Sequence, residues 1–320
     1  MAGCTPKFSM RNVLFVNSQN PVCGVHQYGC RMWDLLYPSQ KYLYHYCSPE
    51  SFQGLVEHVS AFRPDAIIYN WADGIGGYMG TAAWPFGAAN LLLYHDGGIP
   101  VGVPFDRILY SDPTMEPDDR WRCIGRPLAM WEPNGFVEPT HMVPWIGVSG
   151  FMGAWADIAV HRIVEEFDSA VIRLHLPAAP YGDPVGAQAE RSSAVCWGIV
   201  QHKPGITLDV VRHFLPPSEY LKWLSCNDLN VYMRGPHWPG RGVASVLDCA
   251  LAVKKPIAVD RSHAFRHVHN LAPSICVEDS SLKTILANGT KPLEPLLEKW
   301  APANVRAEIE DIIGSFGLRD

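Results

Sequence analysis

Residues 231–267 read VYMRGPHWPGRGVASVLDCALAVKKPIAVDRSHAFRH, and this stretch decides the predicted fold. The apolar run that ends at Met233 predicts a strand, and residues that break regular structure follow it: Gly235, Pro236, Pro239, Gly240 and Gly242. From Val243 apolar residues recur at helical spacing until Pro256, and residues 257–259 predict the next buried strand. A glycine-rich loop that leads into a helix N-terminus presents unpaired N–H groups to an anion, usually a phosphate. The stretch therefore predicts a strand–loop–helix–strand unit that binds a phosphate group.

The segment directly before this stretch, residues 212–232, continues the α/β pattern. Ser218 follows two prolines and is a natural helix N-cap. An apolar helix face comes next, formed by Tyr220, Leu221, Trp223 and Leu224. The apolar run after Asp228 then begins a strand, so a proline turn, a short helix and a strand precede the glycine-rich loop.

Together, residues 212–267 resemble the donor-binding half of GT-B glycosyltransferases, especially the family-4-like group. The pattern of that group is E-G-F-G-x-x-x-x-E-A-x-A-x-G-x-P-V-V. Gly240 stands at its first Glu, Gly242 at its conserved Gly and Asp248 at its second Glu. The second acid is thus conservatively replaced, and the first is absent. The alternative interpretation of this stretch is an ordinary Rossmann-like strand–loop–helix–strand unit.

The resemblance implies an α/β protein with two Rossmann-like domains that face a cleft, which is the GT-B architecture. A chain of 320 residues has the length for two domains. We expect an N-terminal acceptor domain at residues 1–144 and a C-terminal nucleotide-sugar donor domain at residues 145–300. Residues 301–320 are expected to form a last helix that crosses back to the first domain.

The resemblance also implies which residues bind the donor and its diphosphate. They are Gly24, Ser149, Gly150, Arg234, Gly240, Arg241, Gly242, Val243, Asp248, His263 and Arg266. Among them Asp248 would hold the donor, and the arginines would stabilise the departing diphosphate, because planar guanidinium groups bind phosphate bidentately. A solvated cluster of charges is the alternative for those arginines. Near Gly150 the family often has a lysine, which residues 154–157 of this chain replace.

Candidates for the acceptor side come from the first half of the chain. Residues 12–16 predict a central strand, and the polar loop after it contains Gly24 and His26. The run from Asn90 predicts another strand that ends at His95 and Asp96. Ligands of open α/β sheets bind at the carboxyl ends of strands, so Asp96, His95 and His26 are the catalytic candidates, to position or deprotonate an acceptor. The alternatives are a hydrogen-bonded loop histidine and an aspartate that caps a turn.

Three histidines after residue 260 raise the question of a metal site. His263 and His267 are four residues apart, and His269 follows, but no acid of an H-E-x-x-H motif lies between them. GT-B transferases generally need no bound metal, because basic side chains and helix ends neutralise the leaving diphosphate. We therefore expect no metal and no cofactor, with the nucleotide-sugar as a substrate.

Composition excludes several classes of function. With 26 basic and 32 acidic residues the net charge is −6, so we expect no nucleic-acid binding. The nine cysteines include no Cys-x-x-Cys pair, and the sequence has no apolar run long enough for an integral membrane segment. The N-terminus lacks a signal pattern. These observations predict a cytoplasmic protein and leave its oligomeric state open.

The expected function is transfer of a glycosyl group, of the hexosyltransferase type, from a nucleotide-sugar to the hydroxyl of a carbohydrate or another acceptor. One alternative is a GT-B type sugar-nucleotide epimerase, which needs no acceptor. The other is a non-catalytic GT-B module that binds carbohydrate or a partner, and the missing Glu and Lys favour it.

Overall fold

A computed structural model of the protein describes residues 10–70, 86–95, 105–133, 135–153, 155–179, 182–235 and 243–316. The chain divides into two compact units. The first comprises Met1–Ser111, Met115–Pro127 and Pro302–Asp320, and the second comprises Asp112–Thr114 and Leu128–Ala301. Each unit has its own parallel sheet.

Strands and helices alternate along the chain. The strands are β1 (Arg11–Val16), β2 (Tyr42–Cys47), β3 (Ala66–Asn70), β4 (Ala89–Leu93), β5 (Arg107–Tyr110), β6 (Trp121–Cys123), β7 (Trp145–Ser149), β8 (Ala170–His175), β9 (Ile206–Val211), β10 (Leu229–Tyr232) and β11 (Ile257–Val259). The α-helices are α1 (Gly24–Leu36), α2 (Phe52–Phe62), α3 (Ala156–Glu166), α4 (Ala187–Val200), α5 (Pro217–Ser225), α6 (Val246–Ala252), α7 (Leu282–Asn288), α8 (Glu294–Lys299) and α9 (Pro302–Gly314). Short 3-10 turns occupy Phe151–Gly153, His263–Val268 and Lys291–Leu293.

The first unit is built on a sheet of six strands in the order β2-β1-β3-β4-β5-β6. All neighbouring strands run parallel, and the run from Val13 to Val16 is fully buried, as expected of a central strand. Helix α9 belongs to this unit because two hydrogen bonds fix it to the β2 region. Tyr42 donates its hydroxyl to the carbonyl of Glu310 (3.1 Å), and Ser39 donates to the Glu310 carboxylate (2.6 Å).

The second unit is built on a sheet of five strands in the order β11-β10-β7-β8-β9, again all parallel. The strands β7 and β8 supply fully buried apolar residues such as Ile146 and Ile172. The helix α3 packs its apolar face, which includes Ala159 and Ile163, into the same core. These strands therefore form the centre of the unit.

The predicted α/β fold with two Rossmann-like units is confirmed. Residues 274–278 make only one bridge, Val259 to Cys276, because the Cys276 carbonyl then accepts the N–H groups of Asp279 and Ser280 in a turn. Residues 121–123 pair with β5 as a short edge strand. None of the helices in the described ranges has the length and apolar character that a membrane span needs.

Residues 128–144, which the sequence placed in the first domain, pack within the second unit. Ala129 and Trp131 pack against the apolar cluster around α5, which includes Leu221. The ring of His141 stacks on Trp145 at 4.0 Å, and its Nε2 lies 2.9 Å from the Cys226 carbonyl. These side-chain contacts assign the segment to the second unit, which its composition alone did not predict.

Candidate functional site

Each sheet has a point where the strand order reverses. In the first unit the chain goes from β1 to β2 on one side and to β3 on the other, and in the second unit β7 has β8 on one side and β10 on the other. Open α/β sheets bind ligands at the carboxyl ends of strands at such points. The loops and side chains that follow β1 and β3 are therefore the candidate site of the first unit, and those that follow β7 and β10 are the candidate site of the second.

The loop after β7 contains the predicted residues Ser149 and Gly150. Ser149 Oγ lies 2.7 Å from the hydroxyl of Tyr220 on α5, and the N–H of Gly150 donates to the His175 carbonyl at 3.1 Å. A Cβ atom added at Gly150 would meet no atom of the described residues within 4 Å, so among these residues the position is open. By contrast, Gly153 has φ +63° and a Cβ there would lie 2.9 Å from Ser192, so only glycine fits.

Trp155, which the sequence analysis missed, lies at the end of this loop. It precedes α3 with φ 73°, a left-handed conformation that is rare for a bulky residue. Its side chain is 37% exposed, and its ring lies 3.8 Å from where a Cβ atom of Gly235 would be. The only local signal in the sequence was that Trp155 lies in the segment that replaces the family's lysine. An aromatic face therefore lies beside the loops after β7 and β10.

A neutral polar layer lies beside the same loop. It consists of His175 at the end of β8, Tyr220 on α5 and Tyr232 at the end of β10. Burial raises the pKa of both tyrosine hydroxyls well above their ordinary value. Burial also lowers the pKa of His175 to about 4, while Nε2 donates a hydrogen bond to the His213 carbonyl at 3.2 Å. All three side chains are therefore uncharged at neutral pH.

This layer predicts a measurable acid sensitivity. Because the pKa of His175 is lowered from 6.5 to about 4, its contribution to stability is complete above pH 6.5 and is lost as the pH falls toward 4. At about 1.4 kcal/mol per pKa unit the contribution is roughly 3 kcal/mol. We expect His175→Gln, which keeps an amide donor, to have a shallower loss of unfolding free energy between pH 7 and pH 4.5 than the wild type. Denaturant unfolding at both pH values measures it, with the exposed His202→Gln as the control that keeps the wild-type slope. Equal slopes for His175→Gln and the wild type would contradict the assignment.

The loop after β10 is fixed by a residue that was not predicted, Asp260, which directly follows β11. One carboxylate oxygen accepts the N–H groups of Arg234 and Gly235, both at 2.7 Å, and the other accepts the N–H of Ser262 at 3.2 Å. Burial raises the pKa of Asp260 despite these bonds. Asp260 thus fixes the backbone of Arg234 and Gly235 at the end of the described part of this loop. In the sequence, the one feature that could have indicated its role is its position directly after a buried strand.

Several predicted donor residues lie outside the described residues, namely Gly240, Arg241 and Gly242. Val243 lies before helix α6, which begins at Val246 and not at Val243, because the N–H of Ala244 bonds to the carbonyl of Ala264 instead of starting a helical turn. Asp248 lies in the first turn of α6 and is fully buried. Its carboxylate has no solvent-facing surface, so its contact with a donor stays a prediction.

Arg266 is engaged in a buried ion pair. Its Nε and Nη2 atoms lie 2.8 and 2.6 Å from one carboxylate oxygen of Asp112, and the side chains are 10% and 5% exposed. Its Nη1 donates to the carbonyl of His263 at 2.6 Å, and the His263 side chain is exposed. His267 is buried and stacks near Trp300 at 6.1 Å, so it does not share a site with His263. Within the described ranges no cluster of three His, Cys, Asp or Glu residues has metal-binding geometry.

In the first unit, a chain of buried amides links the switch point to His95. Asn70 donates to Asn17 Oδ1 at 2.6 Å, and Asn70 Oδ1 lies 2.6 Å from His95 Nε2. An amide oxygen only accepts, so Nε2 carries the proton. Burial, and then the charges of Arg126 and Arg31, lower the pKa of His95 to about 3. His95 is therefore a neutral donor at the carboxyl edge, while Asp96 lies outside the described residues.

The remaining predicted residues of the first unit lie on a helix and not in a loop. Helix α1 begins at Gly24, so His26 is in its first turn. The reason is a turn at Asn20, whose side chain accepts the N–H of Val22 (3.1 Å) and whose carbonyl accepts that of Cys23 (3.0 Å). The Nδ1 of His26 donates to the carbonyl of Ser18. This bond orients the imidazole and matches the alternative of a hydrogen-bonded histidine.

Comparison with known proteins identifies the fold family. No family model matches the chain, and no curated protein sequence matches it. Solved structures do: HepE of Anabaena, in complex with UDP-glucose, has a TM-score of 0.62, 10% identity, and coverage of 96% of this chain and 100% of its own. AviGT4, a glycosyltransferase involved in avilamycin A biosynthesis, has a TM-score of 0.64 at 13% identity, with 96% and 99% covered. The chain has the GT-B fold.

A third similar structure is the UDP-forming α,α-trehalose-phosphate synthase of Burkholderia xenovorans, in complex with glucose-6-phosphate. Its TM-score is 0.62 at 9% identity, with 95% of this chain and 100% of its own covered. The sequence of residues 212–267 predicted the GT-B fold, and the similar structures confirm that fold over nearly the whole chain. At such identities the similarity establishes the fold, and the roles of individual residues depend on the geometry described above.

Proposed function

We propose that the protein is a glycosyltransferase that moves a hexosyl group from a nucleotide-sugar to an acceptor hydroxyl. The observation that carries the proposal is the loop pair at the second unit's switch point. Asp260 fixes the backbone of Arg234 and Gly235 there, and Gly150, directly after the neighbouring strand β7, has open space among the described residues. Similar structures were solved with UDP-glucose or belong to a glycosyltransferase, which supports a nucleotide-sugar as the ligand.

In this proposal the donor's diphosphate is held by backbone N–H groups and cations. The side chain of Arg234 and the segment Gly240–Gly242 with Arg241 supply them. The diphosphate lies in the space beside Ser149 and Gly150, and the N–H of Gly150 itself is donated to the His175 carbonyl. Arg266 supports this site indirectly, because its guanidinium binds Asp112 and the His263 carbonyl. Trp155 supplies an apolar face beside these loops. The neutral layer below adds no charge that would repel a diphosphate.

We assign the acceptor to the first unit. The reaction breaks the bond between the sugar's anomeric carbon and the diphosphate oxygen and forms one to the acceptor oxygen, whose proton must leave to a base. His95, with a pKa of about 3, is too weak a base for this. Its Nε2 proton is donated to Asn70, so its unprotonated Nδ1 accepts a hydrogen bond from the acceptor hydroxyl and positions it. Asp96 or His26 then takes the proton. No metal is required, because N–H groups and cations stabilise the leaving diphosphate.

We also propose a cytoplasmic setting. The described cysteines form no disulfide, and three of them, Cys47, Cys196 and Cys276, are buried thiols. Burial raises the pKa of Cys47 and Cys196 to about 12, which keeps them protonated and unreactive. Such thiols are typical of a reducing compartment.

A thermal-shift screen with UDP, GDP, ADP and CMP, each with and without EDTA, tests the proposed donor site. We expect one nucleotide to stabilise the protein regardless of EDTA, by about 2.7 kcal/mol at a hundred times its dissociation constant. Stabilisation by none of them would contradict the proposal and favour a non-catalytic module. Product analysis with the matching sugar nucleotide then separates transfer, which needs an acceptor, from epimerisation, which does not.

The variant Gly150→Leu locates the site. Its Cβ atom meets no atom of the part of the chain that the structure describes within 4 Å, so the fold is expected to remain intact while the new side chain fills the space of the diphosphate. We expect nucleotide affinity to fall at least tenfold with little change in the Tm of the free protein. Gly198→Ala, at another glycine with open space on helix α4, is the control and keeps full affinity. Unchanged binding in Gly150→Leu would exclude this loop.

A further inference from the structure

Five side chains converge at the carboxyl edge of the first unit's sheet, around the ring of Tyr28. The guanidinium carbons of Arg126 and Arg31 lie 5.6 and 5.9 Å from the ring centroid. The imidazole of His95 meets the ring edge-on at 4.4 Å. The Tyr28 hydroxyl lies 3.0 Å from Ser111 Oγ. We name these residues the Tyr28 cluster.

The fold brings the Tyr28 cluster together from separate elements that share one edge. Tyr28 and Arg31 are three residues apart on helix α1, so they lie on the same helix face. His95 follows β4 and Ser111 directly follows β5. Arg126 comes three residues after β6, which ends at Cys123. Since the strands are parallel, these positions all belong to the edge where α/β sheets bind ligands.

The cluster carries positive charge in a partly dry environment. Arg126 is only 3% exposed, and Arg31 is half-buried with its Nε donating to the Pro127 carbonyl at 3.1 Å. The charges of both arginines lower the pKa of His95, after the effect of burial. Asp34, three residues after Arg31 on the same helix, is exposed, and partial burial raises its pKa while the charge of Arg31 acts to lower it. The carboxylate of Asp112 binds Arg266. An anion placed here would meet two guanidinium groups, with their planar donors.

We propose that the Tyr28 cluster binds the anionic group of the acceptor, so that the acceptor is a sugar that carries a phosphate or a carboxylate. The guanidinium groups of Arg31 and Arg126 contact the anion, the Tyr28 hydroxyl donates a further hydrogen bond, and His95 orients the neighbouring hydroxyl. This inference rests on the proposed function, since it names the acceptor class of the same reaction. It concerns the first unit alone and predicts that the anionic sugar binds whether or not the donor is present.

Calorimetric titration of the full chain tests the inference, with glucose 6-phosphate, glucuronate and glucose as probes. Excess UDP is present, so that phosphate binding at the donor site does not contribute. We expect at least one anionic sugar to bind tenfold or more tightly than glucose, and the better of the two shows whether phosphate or carboxylate is preferred. In Arg31→Gln, whose side chain is partly exposed, that affinity falls tenfold or more. Tyr28→Phe, which keeps the ring and removes the hydroxyl, weakens it by a smaller factor.

Arg107→Gln is the matched control. Arg107 lies at the opposite, amino end of the same sheet, on β5, and its guanidinium carbon also packs on an aromatic ring, that of Phe316, at 5.2 Å. We expect it to keep the affinity for the anionic sugar. Equal binding of glucose and both anionic sugars would overturn the inference, as would an equal loss in Arg107→Gln and Arg31→Gln. If the protein binds an anionic sugar in a way that needs Arg31 but binds no nucleotide, the result supports this site and refutes the proposed transferase. If it binds a nucleotide but no anionic sugar, the result refutes only this inference.

Discussion

Replacing Asp112 with alanine is expected to lower the free energy of unfolding by about 3 to 5 kcal/mol. One carboxylate oxygen accepts the Nε and Nη2 atoms of Arg266, and the other accepts the N–H and hydroxyl of Thr114 at 3.0 and 2.7 Å. Alanine removes all four bonds and leaves the Arg266 guanidinium, on a side chain that is 10% exposed, without its counter-charge. Urea unfolding of the full chain measures the change.

Two further variants make the test of the ion pair specific. Asp279→Ala breaks an ion pair with Arg261 whose side chains are 36% and 46% exposed, and we expect a much smaller loss, because solvent screens exposed charges. The double variant Asp112→Leu with Arg266→Met replaces the buried pair by apolar side chains and is expected to recover most of the stability. If Asp112→Ala destabilises the protein no more than Asp279→Ala, the buried pair does not have the role described here.

Gly29→Ala is expected to destabilise the first unit by about 3 to 5 kcal/mol, from overpacking together with the loss of buried hydrogen bonds. A Cβ atom at Gly29 would lie 2.2 Å from Asn17 Oδ1 and 2.4 Å from Asn70 Nδ2. Both side chains are fully buried and bond to each other, so neither has room to move without breaking the link to His95. Helix α1 therefore approaches β1 and β3 as closely as it does only because residue 29 lacks a side chain.

Gly54→Ala on helix α2 is the control for this prediction. The nearest atoms to a Cβ there lie 3.5 and 3.6 Å away, which is ordinary contact. Alanine favours helix over glycine by about 1 kcal/mol, so this variant is expected to be neutral or slightly stabilising. Thermal unfolding monitored by circular dichroism compares the two variants. A Gly29→Ala protein as stable as Gly54→Ala would mean that the amide chain is not packed against α1.

The alternation of strands and helices was predictable from the sequence, because buried parallel strands appear as short uniform apolar runs such as residues 12–16 and 257–259. The strand order was not, since it depends on pairings between distant segments. Residues 121–123 show the limit of local patterns: this edge strand is only three residues long and lies in a polar segment without alternation.

The candidate site was predictable only in part for the same reason. The sequence identified His95 as the end of a strand, but its partner Asn70 is 25 residues away, and Asp112 is 154 residues from Arg266. Asn17 and Asp260 directly follow buried strands and Asn70 ends one, positions where a polar residue is equally typical of a simple turn. The resemblance pointed to the loops after β7 and β10, while the contacts that fix them, from Asp260 and Tyr220, appear only in the folded protein.

We propose above that the loops at the switch point of the second sheet bind the nucleotide of a sugar donor. Hydrogen exchange of the full chain, followed by mass spectrometry with and without UDP, tests this most directly. We expect slower exchange in the peptides that contain the loops after β7 and β10, with little change in those covering β1 to β3. Protection confined to the first unit, or none at a UDP concentration that raises the Tm, would contradict it.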